Sequence, residues 1–361
     1  MINVHTHIFN QDFVPVRFLP LWLKAIANVI VSKRLLWFFK KTKLTGLYNL
    51  LNRYYTFMEI SKKGSQEDIF IHLSGFYPTG THFVTLPMDM AFMKAGKVVK
   101  DLKEQLQELK QIKEKYPTKD HPYSILPFVF AHPERPKLLD LIKEYIEVHK
   151  FSGIKIYPAL GYFPHDPRLE KVYEYAEKNS IPVLTHCTRG GVFYKGKLTK
   201  EKRTDPRTGE VYEKKSNATF TDVFSDPDRY EGLLNDFPDL KMCFAHFGGA
   251  SEWDIFLMNS WNDEAEKSWF SKVSKIVSNS QWNAYTDISY TLHDRKYYGI
   301  LKAFLESNNR LKKRVLFGTD YYMTEQETSE RSFGINLRGF LGEELWNQIS
   351  VENPKIFLNM K

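Results

Sequence analysis

The chain has 361 residues, 42% of them hydrophobic and 26% charged, and a formal net charge of +8. That balance excludes a low-complexity or disordered chain and allows one large α/β domain or two smaller ones. The basic residues are scattered rather than interleaved with aromatics in one patch, which argues against a nucleic-acid binder and suits a small anionic substrate.

Chemistry begins at once, in Ile2-Asn3-Val4-His5-Thr6-His7-Ile8-Phe9. In a strand, side chains two apart point the same way, so His5 and His7 would leave one face as a pair of imidazole ligands. A basic, aromatic-rich segment follows over residues 11–64, with apolar blocks at Phe18 to Leu23 and Leu35 to Phe39. It reads as a helical insertion that packs its apolar face on the main body or covers a site at the end of the first strand; the alternative is an amphipathic helix on a membrane surface. Its exposed aromatics would suit a dimer contact. The longest apolar run, Phe18 to Val31, is broken by Lys24 and too short to span a bilayer, so no membrane partner is expected.

From Thr81 the chain alternates. Strand-like runs stand at His82–Pro87, Ser124–Phe130, Gly153–Tyr157, Pro182–Thr185, Met242–Ala245, Ala284–Ile288 and Val315–Phe317. Helical patterns lie between them. One buries Leu102, Leu106, Leu109 and Ile112; another buries Leu138, Leu141, Ile142 and Tyr145. A third opens on Asp166-Pro167, a cap followed by proline at the first helical position, and buries Leu169, Val172, Tyr175 and Ala176. With the first strand this makes eight βα units, the rhythm of a (β/α)8 TIM barrel spanning 1–361 as a single domain. No GxGxxG or Walker loop follows any strand, so a nucleotide cofactor is not expected. Two long stretches interrupt the rhythm: a basic loop from Val192 to Asn217, and a largely helical one from Ser251 to Ser280.

The polar residues collect where apolar strands give way to loops. Lys155 ends strand four, His186 strand five, His246 strand six and Asp320 strand eight. The C-terminal ends of barrel strands share one mouth, and three or four imidazoles with a carboxylate meeting there form a divalent-metal shell, zinc by ligand type. The two cysteines, Cys187 and Cys243, lie in apolar runs. They read as reduced thiols of a cytoplasmic protein, and Met1 leads into the first strand without a secretory leader.

HxH on strand one, histidines after strands five and six and an aspartate after strand eight resemble the amidohydrolase superfamily. Gly153 to Pro158, Asp166 to Leu169, Ile181 to His186 and the ending Glu352 to Phe357 are similar to its amidohydrolase 2 branch, which includes aminocarboxymuconate-semialdehyde decarboxylase-like proteins. The resemblance implies one zinc on His5, His7, His186 and Asp320, with Asp320 and His246 handling protons. In binuclear relatives a carbamylated lysine corresponding to Lys155 and a histidine corresponding to His246 hold a second ion. As a plain ammonium, Lys155 would bind a substrate carboxylate, as would Arg189, with Tyr157 and Asp89 as weaker candidates. The reaction expected first is hydrolysis of an amide, ester or lactone of a small anionic molecule by metal-activated water. The alternative is metal-dependent decarboxylation or hydration of an unsaturated acid.

Overall fold

A computed structural model describes residues 1–18, 55, 59, 60 and 64–361. The insertion expected over 11–64 therefore lies almost wholly outside the described residues. Eight strands follow in chain order: β1 Ile2–Thr6, β2 His82–Thr85, β3 Ser124–Phe130, β4 Gly153–Ile156, β5 Val183–Thr185, β6 Met242–Phe244, β7 Ala284–Asp287 and β8 Val315–Leu316. Each pairs in parallel with the next. The chain after β8 returns to β1: Val4 N donates to Phe317 O at 2.9 Å and Asp320 N to His5 O at 2.8 Å. The sheet so closes on itself as the expected (β/α)8 barrel. Its ladders are shorter than the apolar runs in the sequence. Pro87, for example, has no amide hydrogen to extend β2.

Alternation along the strands sorts the core into two layers. Val4, Val84, Phe128, Leu184, Cys243, Tyr285 and Leu316 form one cluster, the plug inside the barrel. Their neighbours Phe83, Val129, Ile154, Val183, Phe244 and Val315 belong to the larger cluster beneath the helices. The helices form where capping and periodicity coincide. Leu102–Lys115 starts on an Asp101/Glu104 capping box and buries Leu102, Leu106, Leu109 and Ile112. Asp166 caps a short 3-10 turn, Pro167–Leu169, that runs into the helix Glu170–Lys178. That helix buries Tyr173, whereas Tyr175, expected inside, reaches Glu147 with its hydroxyl; the 3-10 start rotates the register.

The basic loop is ordered rather than irregular. Phe163, Tyr194, Leu198, Phe220 and Phe224 give it a core of its own, and Thr204 bridges Val211. The stretch after β6 is helical as expected, over Ala250–Met258 and Trp269–Ser278; Trp253 and Trp269 are buried while Trp261 is exposed. Both cysteines are buried free thiols. Among the described residues no helix is long and apolar enough to cross a membrane.

A candidate metal centre at the strand ends

His5 and His7 leave β1 toward Asp320, which follows β8. His7 Nε2 lies 3.2 Å and His5 Nε2 3.6 Å from Asp320 Oδ1. Gly318 permits this approach, since a Cβ there would stand 2.8 Å from that of His5. Asp320 itself adopts left-handed backbone, φ +62°, and is held there by its amide bond to His5 O.

What faces the carboxylate is decided on the far edges of the rings. His7 Nδ1 donates to Leu86 O at 2.8 Å, and His5 Nδ1 donates to Asp287 Oδ2 at 3.0 Å. Burial drives the His5 pKa down to about 4, so the ring is neutral near pH 7 and its single hydrogen sits on Nδ1. Its Nε2 therefore points a bare lone pair at Asp320. Asp320 is ionised there, its pKa lying below the ordinary carboxylate value although burial alone would raise it. Lone pairs facing a carboxylate repel unless a cation lies between them, and the donor set of two imidazoles and a carboxylate fits a divalent ion. These three side chains are close enough to share one.

Beside them stand two more rings. His246 Nε2 and His186 Nδ1 are 3.2 Å apart, and the ring centres of His5 and His246 are 4.9 Å apart. Burial pushes both pKa values down, so these imidazoles too are neutral near pH 7. His246 has φ +66°, a second left-handed position at the mouth. Lys155 completes the group from β4. Its ammonium is fully buried and none of its hydrogens has an acceptor among the described residues. Burial lowers its pKa to about 8, opposed by the charges of Asp287 and Asp320.

The remaining sequence candidates have other partners. Tyr157 stacks on His186 with ring centres 4.0 Å apart, and its hydroxyl accepts from Val192 N. Arg189 binds Glu252 at 2.5 Å and Asp222 at 2.9 Å and lies over Trp269; among the described residues no hydrogen bond or ion pair joins it to the histidines. Asp89 is paired with Arg135 at 2.6 Å. The residue that sequence reading missed is Asp287, on the same face of β7 as the plug residue Tyr285. A carboxylate in step with an inward tyrosine, within an otherwise uncharged strand, was the available signal.

The sequence profile of the Amidohydro_2 family, described as amidohydrolase, matches residues 117–359, a span that includes Lys155, His186, His246, Asp287 and Asp320. No curated protein sequence matches the chain. Solved structures are similar in fold. A 5-carboxyvanillate decarboxylase from Novosphingobium aromaticivorans DSM 12444, complexed with manganese and 4-hydroxy-3-methoxy-5-nitrobenzoic acid, has TM-score 0.53 and 12% identity over 99% of this chain and 95% of its own. A 5-carboxyvanillate decarboxylase from Sphingomonas paucimobilis has TM-score 0.51 and 14% identity over 81% and 82%. A 4-oxalomesaconate hydratase from Rhodopseudomonas palustris has TM-score 0.50 and 14% identity over 99% and 95%. With a profile match over more than half its length and histidines and a carboxylate gathered at one end of a parallel barrel, this chain belongs to the Amidohydro_2 family of amidohydrolases.

Proposed function

We propose that the protein is a metal-dependent lyase that removes carbon dioxide from, or adds water to, a small unsaturated or aromatic carboxylic acid. One divalent ion would be held by His5, His7, His186 and Asp320, with His246 beside it. A histidine-rich donor set favours zinc; manganese is what the solved decarboxylase carries. Bound there, such an ion polarises a coordinated oxygen and lowers the pKa of coordinated water.

The observation that carries the reading is the Lys155 ammonium, which lies over the Tyr157 ring among neutral imidazoles and has no hydrogen-bond acceptor among the described residues. A buried cation without an acceptor is costly, and a substrate carboxylate is the complement it lacks. Lys155 would hold the anion while the carbon–carbon bond to the carboxylate breaks. The electron pair stays on the ring or alkene carbon, which takes up a proton, and carbon dioxide leaves. That proton comes from solvent: His246, whose Nδ1–H is held by Ser289, would take it up on Nε2 and pass it to the carbon. Reactions named for the two decarboxylases and the hydratase of similar fold support this reading over hydrolysis.

Hydrolysis is the second reading, favoured by one feature: Asp320 is ionised and so able to take a proton from water. Product analysis separates the two. Purified metal-loaded protein, incubated with a panel of aromatic and unsaturated carboxylic acids, is expected to release carbon dioxide or yield a hydrated acid. Turnover confined to amides, esters or lactones would overturn the lyase reading, and a protein without stoichiometric metal would overturn both.

A further inference from the structure

Resting on this metal-centre reading, we infer that Asp287 and Ser289 are a positioning pair that sets the ring orientation of His5 and His246 together. Neither residue faces the space between Asp320 and the Nε2 atoms. Asp287 Oδ2 accepts from His5 Nδ1 at 3.0 Å, and Oδ1 accepts from the amides of His246 at 3.1 Å and Ser289 at 3.0 Å. The Ser289 hydroxyl spends its only hydrogen on Asp287 Oδ1. Its oxygen must then accept, and it lies 3.0 Å from His5 Nδ1 and 2.9 Å from His246 Nδ1. The backbone carbonyl of Ser289 gives His246 Nδ1 a second acceptor at 3.1 Å.

Counting hydrogens leaves one arrangement. Both rings carry their proton on Nδ1 and none on Nε2; the Nε2 of His5 faces Asp320, and that of His246 lies 3.2 Å from His186 Nδ1. Asp287 could itself join His5 and His246 around an ion at the Nδ1 edges, since these atoms are close enough. Its two oxygens already accept two amides, a hydroxyl and a ring N–H, so an ion there would face hydrogens instead of lone pairs. Asp287 thus acts through the ligands, not as one. The pair also joins two distant strands: a single carboxylate on β7 fixes a ring on β1 and the backbone carrying a ring after β6.

Asp287→Asn tests this, because an amide has one acceptor oxygen and must turn its NH2 toward a donor on one side or the other. Zinc affinity of the full-length protein, measured by competition with a chromophoric chelator, is expected to fall on the order of 10- to 100-fold. Ser289→Ala keeps the carboxylate on His5 and should show a smaller loss. A folded Asp287→Asn protein that holds zinc as tightly as wild type would overturn the inference. Should the variants not fold, nitrogen-15 spectra of the histidine rings in wild-type protein decide the matter, with protons expected on Nδ1 of His5 and His246. A proton on Nε2 of either ring would overturn the positioning role. Failure of wild-type protein to take up any divalent ion would overturn the metal-centre reading instead, and the ring tautomers would still test the pair.

Discussion

Leu184 and His186 are two residues apart on one face of the barrel, as are Tyr285 and Asp287. The first of each pair belongs to the apolar plug and the second to the mouth, yet all four are almost fully buried. The plug gains from leaving water, and its side chains need only fit. The mouth buries neutral imidazoles, two carboxylates and an ammonium, and each needs a specific partner to offset lost hydration. Asp287 has all its partners. Among the described residues Lys155 Nζ and His186 Nε2 do not. Equal burial therefore hides a difference: one layer is apolar packing, and the other holds polar groups whose hydrogen bonds are incomplete among the described residues.

The largest effects should come from the mouth and fall on activity. His186→Ala is expected to lose stoichiometric metal and turnover while keeping its melting temperature near wild type; elemental analysis and a thermal scan check both. Retention of full metal and activity would break the distinction between the layers. Leu184→Ala should do the reverse. It removes plug volume, and denaturant unfolding should show a loss of about 2–5 kcal/mol, with metal content unchanged.

Lys155→Met sharpens the contrast, because it makes the mouth resemble the plug. The native lysine pKa lies near 8, below its unfolded value, so between about 8 and 10.4 the unfolded chain binds the extra proton. Wild-type stability should then rise with pH across that window, by roughly 1.4 kcal/mol per unit. The variant should lack this slope, be more stable at pH 7, and have a raised KM for a carboxylate substrate. A steeper slope in the variant would contradict the assignment.

The smallest effect on activity is expected outside the strand layer, at Glu330, where the change falls on stability. Its Oε1 accepts from the hydroxyls of Tyr77 and Thr319, while its Oε2 has no hydrogen-bond partner among the described residues. Burial raises its pKa to about 8. The native state so retains a proton that the unfolded chain releases near 4.3, and this contribution to stability is lost as pH rises toward 8. Glu330→Gln mimics the protonated form and should flatten that fall in urea midpoints between about pH 5 and 8. An unchanged profile would mean the carboxyl is already ionised at neutral pH.

Much of this was legible in the linear chain because the relevant forces are local. Apolar runs bounded by Gly and polar residues mark strands, and His186, His246 and Asp320 stand where those runs stop. Asp287 was missed although Tyr285 two residues earlier marks its face, because a carboxylate inside a strand pattern does not show its partners. Arg189 shows the converse. It looked free in sequence, but its carboxylates, Asp222 and Glu252, lie far along the chain. The small core of the basic loop escaped notice for the same reason, since Phe163 precedes the loop and Phe220 and Phe224 follow it.

Sequence alone determined the barrel, its strand order and which residue types reach its mouth, because periodicity and strand-end position are properties of short windows. Only the tertiary structure decided which edge of each imidazole carries the hydrogen, which cation lacks an acceptor and which carboxylate stands behind His5. Those depend on atoms brought to 3.0 Å across a gap of 284 residues, a range at which hydrogen bonds form and beyond which charges weaken with distance.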